Sequence, residues 1–213
     1  MNYRHAFHAG NFADVIKHAV LARILTYFHG KPAAFRVIDT HAGAGLYDLT
    51  SEEAQRGGEW QDGIGRVMDA EFSAEVAALL APYLDIVRAF NDQPSKAKPG
   101  EMRYSGARAA DAHIRHAQAH NTHDPGPSSP ADLRAYPGSP LIARALLRPQ
   151  DRLIACEMEP GAHAALINSL YRNEQARVVD LDGWLALNAF VPPSARRGLV
   201  IVDPPFEQRN EFD

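Results

Sequence analysis

Apolar residues recur at helical spacing from Phe12 through Val15, Ile16, Ala19, Val20 and Ile24 to Leu25. Asn11 stands where an N-cap belongs, and Asp14 three residues on makes a weak capping box. His29-Gly30 and Pro32 supply the stop, so a helix is predicted between them, carrying Lys17 and His18 close to the polar, aromatic segment Tyr3 to His8. Phe35-Arg36-Val37-Ile38-Asp39 predicts a strand running into the glycine turn Thr40-His41-Ala42-Gly43-Ala44-Gly45. Residues 51–91 read as mostly helical, with Trp60, Ile64, Val67, Val76, Leu79, Leu80, Leu84, Ile86 and Val87 as their apolar positions.

The pattern then breaks. Pro94, Pro99, Pro125, Pro127 and Pro130, mixed with Gly and Ser, make residues 91–132 read as a flexible segment, basic through Lys96, Lys98, Arg103, Arg108 and Arg115. A helix is predicted from Leu141 to Leu147. Three strand signals follow: Arg152–Cys156 ending at Glu157, Arg177–Val179 leading to Asp182-Gly183, and Gly198–Val202 ending at Asp203. Helices fit around Gly161–Tyr171 and Trp184–Phe190. Strands alternating with helices at this pitch indicate an α/β fold with a parallel sheet.

Each of the four strands ends in polar residues: Asp39 with His41, then Glu157, Asp182 and Asp203. Ligands of open parallel sheets bind beyond the carboxyl ends of the strands, so these groups should share one crevice. A single strand-end acid often does no more than cap the next helix; four in register with a glycine turn point to a site. Gly43-x-Gly45 lets the backbone turn tightly against a ligand. It is not the six-residue dinucleotide fingerprint, because Asp48 stands at the third glycine position. Glu157 is placed to accept ribose hydroxyls and Asp182 an adenine amino group.

Asp203-Pro204-Pro205-Phe206 is the most specific signal. Two prolines after an apolar strand end the ladder and hold the aspartate in a rigid turn. A carboxylate, a carbonyl and an aromatic face together form a receptor for an amino group on a planar ring.

Composition narrows the classes. The chain has 213 residues, 46% hydrophobic and 23% charged, with a net charge of −4. This is ordinary globular composition and argues against coating nucleic acid by bulk charge. The single cysteine, Cys156, excludes an intramolecular disulfide and a cysteine-rich zinc site. His113, His116, His120 and His123 have helical spacing but sit in the proline-flanked segment and read as solvated, so no metal is expected. No apolar run reaches the roughly 20 residues of a membrane span, and the N-terminus lacks an apolar signal core. No membrane partner and a cytoplasmic location are the expectation.

These residues carry a resemblance. Asp-x-His-x-Gly-x-Gly followed much later by Asp-Pro-Pro-Phe is similar to the Rossmann-like amino-methyltransferases that use S-adenosylmethionine. Tyr3–Asn11, Asp14-Val15, Lys17-His18, Asp39–Gly45, Tyr136-Pro137-Gly138-Ser139-Pro140 and Asp203–Glu207 narrow it: in this order they resemble the bacterial 23S ribosomal RNA adenine-N6 methyltransferases of the RlmJ type.

The resemblance implies a Rossmann-like class I methyltransferase sheet with a mostly helical subdomain inserted after the first strand. The expected division is 1–34 for the N-terminal substrate loop and helix, and 35–50 for the first strand and glycine-rich cofactor loop. The inserted subdomain would occupy 51–135, and 136–213 the rest of the methyltransferase domain. The chain stops ten residues after Asp203, where this fold normally adds a helix and three strands, so C-terminal strands are expected to be missing. The resemblance further implies cofactor contacts from His18, His41, Gly43, Ser139, Glu157, Asp182, Gly183 and Asp203. Tyr3, His5, Lys17 and Phe206 fall on the substrate side, and Asp203, Pro204 and Phe206 at the reacting amino group. Phe206 stands where the family commonly has tyrosine, a change that keeps a stacking ring.

The expected reaction is direct methyl transfer from S-adenosylmethionine to an adenine N6 in 23S ribosomal RNA, by a monomer. Two other readings stay open: an amino-methyltransferase acting on DNA adenine or a protein amide, and a non-catalytic nucleotide- or RNA-binding module.

Overall fold

The computed structural model describes residues 5–92 and 133–205. Tyr3, Arg4, Phe206, the basic residues Lys96 to Arg115 and the histidines from His113 to His123 lie outside the described residues.

A short 3-10 turn, His5–Phe7, leads into α1 (Phe12–Phe28). Asn11 caps α1 as expected, accepting a bond from the Asp14 N–H at 3.0 Å. The buried face of α1 differs from the expected one. Val15 and Leu25 are buried, but Phe12, Ile16 and Val20 are 71%, 61% and 52% exposed, and Asp14, His18, Leu21 and Ala22 take the inner positions. The helix is apolar around most of its circumference, so spacing alone does not choose the inner face. The polar groups drawn to the crevice choose it.

After β1 (Phe35–Asp39) comes β2 (Leu46–Asp48), which pairs antiparallel with β3 (Ala135–Pro137). Neither short strand was expected: three residues are too few for a periodic signal. Between them lie α2 (Glu52–Gly57), a π-turn (Gln61–Gly65) continuing into α3 (Arg66–Asp69), and α4 (Ala74–Asn91). Asn91, the boundary between the helical stretch and the flexible segment in the sequence, ends α4, and its side chain anchors β3. Its carbonyl oxygen accepts from the Arg134 and Ala135 N–H groups, and its amide donates to the Ala135 carbonyl.

The chain continues through α5 (Ser139–Ala145), β4 (Arg152–Cys156), α6 (Pro160–Ser169), β5 (Ala176–Val179), α7 (Gly183–Phe190) and β6 (Arg197–Ile201). The four longer strands form a parallel sheet in the order β5-β4-β1-β6. The chain moves outward from β1 through β4 to β5, then returns to place β6 on the other side of β1. That reversal opens a crevice between the carboxyl ends of β1 and β6.

Alternation along β4 divides the sheet into two faces. Leu153 and Ala155 join the main core, with Leu21 and Leu25 of α1, Leu141 and Ile142 of α5, and Tyr83, Leu84, Val87 and Phe90 of α4. Ile154 and Cys156 pack with Ala186 of α7 on the opposite face. The described helices of residues 51–91 therefore share the sheet's core and have none of their own. Cys156 is fully buried, which pushes its thiol up to about 11 and fits a packing role. At the opposite end of the sheet, buried Asp151 accepts the Phe35 N–H at 3.0 Å and a bond from Arg148 at 2.8 Å. These contacts fix the start of β1, and hence the position of Asp39 at its end.

Candidate functional site

Asp39 ends β1 at 0% exposure, with neither carboxylate oxygen in a hydrogen bond of good geometry. Burial pushes its pKa up to about 6; Ser139, Lys17 and the His41 backbone oppose that rise, and Asp203 adds to it. Ser139, nearly buried at the first turn of α5, is thus brought beside the β1 terminus.

The glycine turn fits around Glu157. Gly43 has φ of +65° and Gly45 +80°, the left-handed region that side chains avoid. The Gly43 N–H donates to Glu157 Oε2 at 2.8 Å, and the Glu159 N–H donates to Oε1 at 2.8 Å. Glu157 thus ties the turn after β1 to the turn after β4, its side chain fixed at the crevice. Tyr47, from β2, accepts the Ala44 N–H at 3.2 Å and so supports the same turn.

Asp182 is the N-cap of α7, and its Oδ1 accepts the Trp184 and Leu185 N–H groups at 3.0 Å each. It does cap the next helix, and it also faces His41: the charges of Glu157, Asp182 and Asp203 all bear on that ring. Burial outweighs them and holds the His41 pKa below its ordinary value. Gly183 leaves room for this ring. A Cβ there would lie 2.6 Å from His41 Nε2 and from the Thr40 carbonyl. Thr40 in turn holds β6, donating from Oγ1 and from its backbone N–H to the Ile201 carbonyl at 2.9 and 3.0 Å.

On the α1 side, His18 is 1% exposed, and burial lowers its pKa to about 4, leaving a neutral ring. Its Nδ1 meets the Tyr136 hydroxyl at 2.7 Å, and Tyr136 meets the Tyr83 hydroxyl at 3.0 Å. Lys17 reaches across the crevice to pair with Asp203 and also pairs with Asp14, one turn back on α1. Burial would lower the Lys17 pKa, but the two carboxylates outweigh it and raise it. His5 Nε2 lies 3.0 Å from Asp14 Oδ2, and its ring packs on Tyr47.

The structure therefore brings together Asp39, His41, Gly43, Ser139, Glu157, Asp182 and Gly183 along one wall of the crevice. His5, Lys17 and His18 form the other wall, with Asp203 and Pro204 beyond β6. Sequence reasoning missed the Tyr83–Tyr136–His18 chain and the tertiary partners of Asp14. The only signals for them were Tyr136 in its Pro-Gly-Ser-Pro segment and Asp14 in the capping pattern. Among the described residues, no group of three or more His, Cys, Asp or Glu is arranged to hold a metal ion, and no helix is long and apolar enough to cross a membrane.

The family described as Ribosomal RNA large subunit methyltransferase D, RlmJ matches residues 14–123 and 128–213. The chain is 37% identical over 212 residues to Ribosomal RNA large subunit methyltransferase J of Escherichia coli (strain K12), covering 100% of this chain and 61% of that protein. It is 34% identical over 213 residues to the protein of the same name from Haemophilus influenzae, covering 100% of this chain and 62% of that one. The chain thus spans about three fifths of the length of these relatives. The fold is similar to the crystal structure of a protein from Legionella pneumophila str. Philadelphia 1, with a TM-score of 0.65 and 31% identity over 94% of this chain and 59% of that one. The α/β architecture is accordingly Rossmann-like.

Proposed function

The chain belongs to the RlmJ family of ribosomal RNA large subunit methyltransferases, and we propose that it transfers a methyl group from S-adenosylmethionine to the N6 amino group of an adenine in 23S ribosomal RNA. The observation that carries this reading is the Lys17–Asp203 pair, held at the switch point of the sheet and followed by Pro204-Pro205.

The wall of the crevice fits the methyl donor. Glu157 keeps lone pairs for two ribose hydroxyls beyond the two backbone bonds that fix it. The absence of a side chain at residue 183 lets the His41 ring pack against the start of α7, and His41 and Asp182 would face the adenine ring of the donor. Asp39, fully buried with neither oxygen in a hydrogen bond of good geometry, is a carboxylate that a cationic amino-acid end would satisfy. His18 and Ser139 complete that end of the site. When bound, S-adenosylmethionine supplies an already activated sulfonium methyl, so the protein's task is alignment and charge stabilisation.

An adenine N6 is a poor nucleophile, because its lone pair is delocalised into the ring. Asp203 and the Pro204 carbonyl would accept its two protons, favouring a tetrahedral nitrogen as positive charge develops there. The Lys17 ammonium pairs with Asp203 and orients it for this task. As the N–C bond forms and the C–S bond breaks, one N6 proton leaves to Asp203 or through it to water. Pro204 and Pro205 stiffen the turn, so the acceptors are placed before the base arrives. Phe206 would stack on the flipped base, and Tyr3 and His5 would face the RNA.

Transfer of labelled methyl groups onto unmodified 23S ribosomal RNA, duplex DNA and protein tests this reading. N6-methyladenine in the RNA alone is expected. Label in DNA or in a protein amide would move the substrate, and S-adenosylmethionine binding without transfer to any of the three would reduce the chain to a binding module.

A further inference from the structure

Asp14 is the most enclosed carboxylate among the crevice residues after Asp39, at 2% exposure, and unlike Asp39 it is saturated with partners. Its Oδ1 receives Lys17 Nζ at 2.9 Å. Its Oδ2 receives the Gly10 N–H at 2.9 Å and His5 Nε2 at 3.0 Å. The usual duty of an acid at the third helical position is to reach back to the backbone of the N-cap residue. Asp14 does not do this: the Asn11 N–H donates to the His8 carbonyl, and Asp14 turns inward. Gly10, with φ of +79°, makes the bend that aims its N–H at the carboxylate.

A carboxylate buried to this degree carries a large desolvation cost, which is offset here by a cation and two hydrogen bonds. Burial would raise its pKa, but His5, His18 and Lys17 outweigh that and hold Asp14 well below the usual carboxylate range. Besides the Gly10 N–H, its partners are Lys17 and His5, two crevice groups on the α1 side. Lys17 goes on to Asp203, and His5 goes on to Tyr47. A group serving only the helix terminus would need neither.

Resting on the methyltransferase reading, we propose that Asp14 is a positioning residue. One oxygen holds Lys17 against Asp203, the other holds His5 and the Gly10 turn, so a single carboxylate sets the acceptor at the reacting nitrogen and the substrate-side loop together. Asp14 touches no substrate and acts through Lys17 and His5.

Asp14→Asn tests it, because it keeps the shape and removes the charge. Turnover at saturating RNA and S-adenosylmethionine should fall roughly tenfold or more, while KM for S-adenosylmethionine stays within about twofold. The Lys17 amine, released from one of its two carboxylates, should react with acetic anhydride several-fold faster relative to exposed Lys31. A folded variant with normal turnover and unchanged Lys17 labelling would overturn the proposal. A double variant, Asp14→Asn with Lys17→Met, leaves no uncompensated charge buried at the start of α1 and decides the matter if the single variant does not fold. Relative to Lys17→Met alone its turnover should fall by less than the loss Asp14→Asn causes in the unaltered protein, because only the His5 and Gly10 contacts remain to be lost, and a loss as large as that one would show that Asp14 does not act through Lys17. If the unaltered protein methylates nothing, the methyltransferase reading fails by itself, and the labelling comparison still decides whether Asp14 holds Lys17.

Discussion

Lys17 and Asp203, 186 residues apart in the chain, form an ion pair across the crevice between α1 and the end of β6. A helix that precedes the sheet thus supplies the cation for a carboxylate that follows its fourth parallel strand. Lys17→Met would leave both Asp203 and the buried Asp14 without their cation. Turnover should fall at least about tenfold, with S-adenosylmethionine affinity nearly unchanged, as read by single-turnover kinetics and calorimetry.

Glu157→Gln replaces an acceptor for ribose hydroxyls and for the Gly43 N–H with an amide. Cofactor affinity should weaken by roughly 1.5–3 kcal/mol, the range for hydrogen bonds to a charged group. Calorimetry showing unchanged affinity would remove the ribose assignment.

Gly183→Ala should also weaken cofactor binding, through His41. The added methyl would lie within 2.6 Å of that ring and of the Thr40 carbonyl, so the ring must move or the helix start must shift. A crystal structure of the variant with an unmoved His41, together with normal affinity, would contradict this.

Two buried groups make opposite contributions to pH stability. Asp39 has a folded pKa of about 6 against 3.8 in the unfolded chain, so the folded protein holds the extra proton between these values, and stability is lost as pH rises through 6. His18, lowered to about 4 from 6.5, works the other way: stability is lost as pH falls from 6.5 to 4. The two largely offset each other in the unaltered protein, so each becomes visible only against its variant. Asp39→Asn should raise the melting temperature at pH 7.5 and lose this advantage near pH 4, while binding S-adenosylmethionine more weakly. An unchanged melting difference across that range would show that Asp39 does not titrate as a buried carboxylate.

Tyr136→Phe should cost about 1–3 kcal/mol of stability, because His18 Nδ1 would be left buried without a partner. The loss of a fixed tautomer should weaken cofactor binding as well. Tyr83→Phe, one step further from His18, should show the same pattern less strongly.

The sheet and its strand-end acids were legible because each strand is an apolar run closed by a polar residue, repeated at one strand–helix pitch. Asp39, Glu157, Asp182 and Asp203 follow from that pattern alone. The inner face of α1 was not legible: Phe12, Ile16 and Val20 satisfy helical spacing as well as Leu21 and Leu25 do, and only tertiary partners for Asp14 and His18 decide between them. The β2–β3 pair joins three-residue strands distant in sequence, so neither carries a local signal. Asp14 could be placed at a helix start by local rules, but its partners His5, Gly10 and Lys17 are matters of packing.

Asp203 carries the central claim, and Asp203→Asn tests it most directly, in single-turnover methylation of unmodified 23S ribosomal RNA. The variant keeps the side-chain shape but turns an NH2 donor toward the substrate's own N–H. The account predicts a folded protein whose rate falls at least ~100-fold, about 3 kcal/mol in the transition state. A folded Asp203→Asn protein that methylates at a near-normal rate would contradict it and leave the Asp-Pro-Pro turn a purely architectural feature.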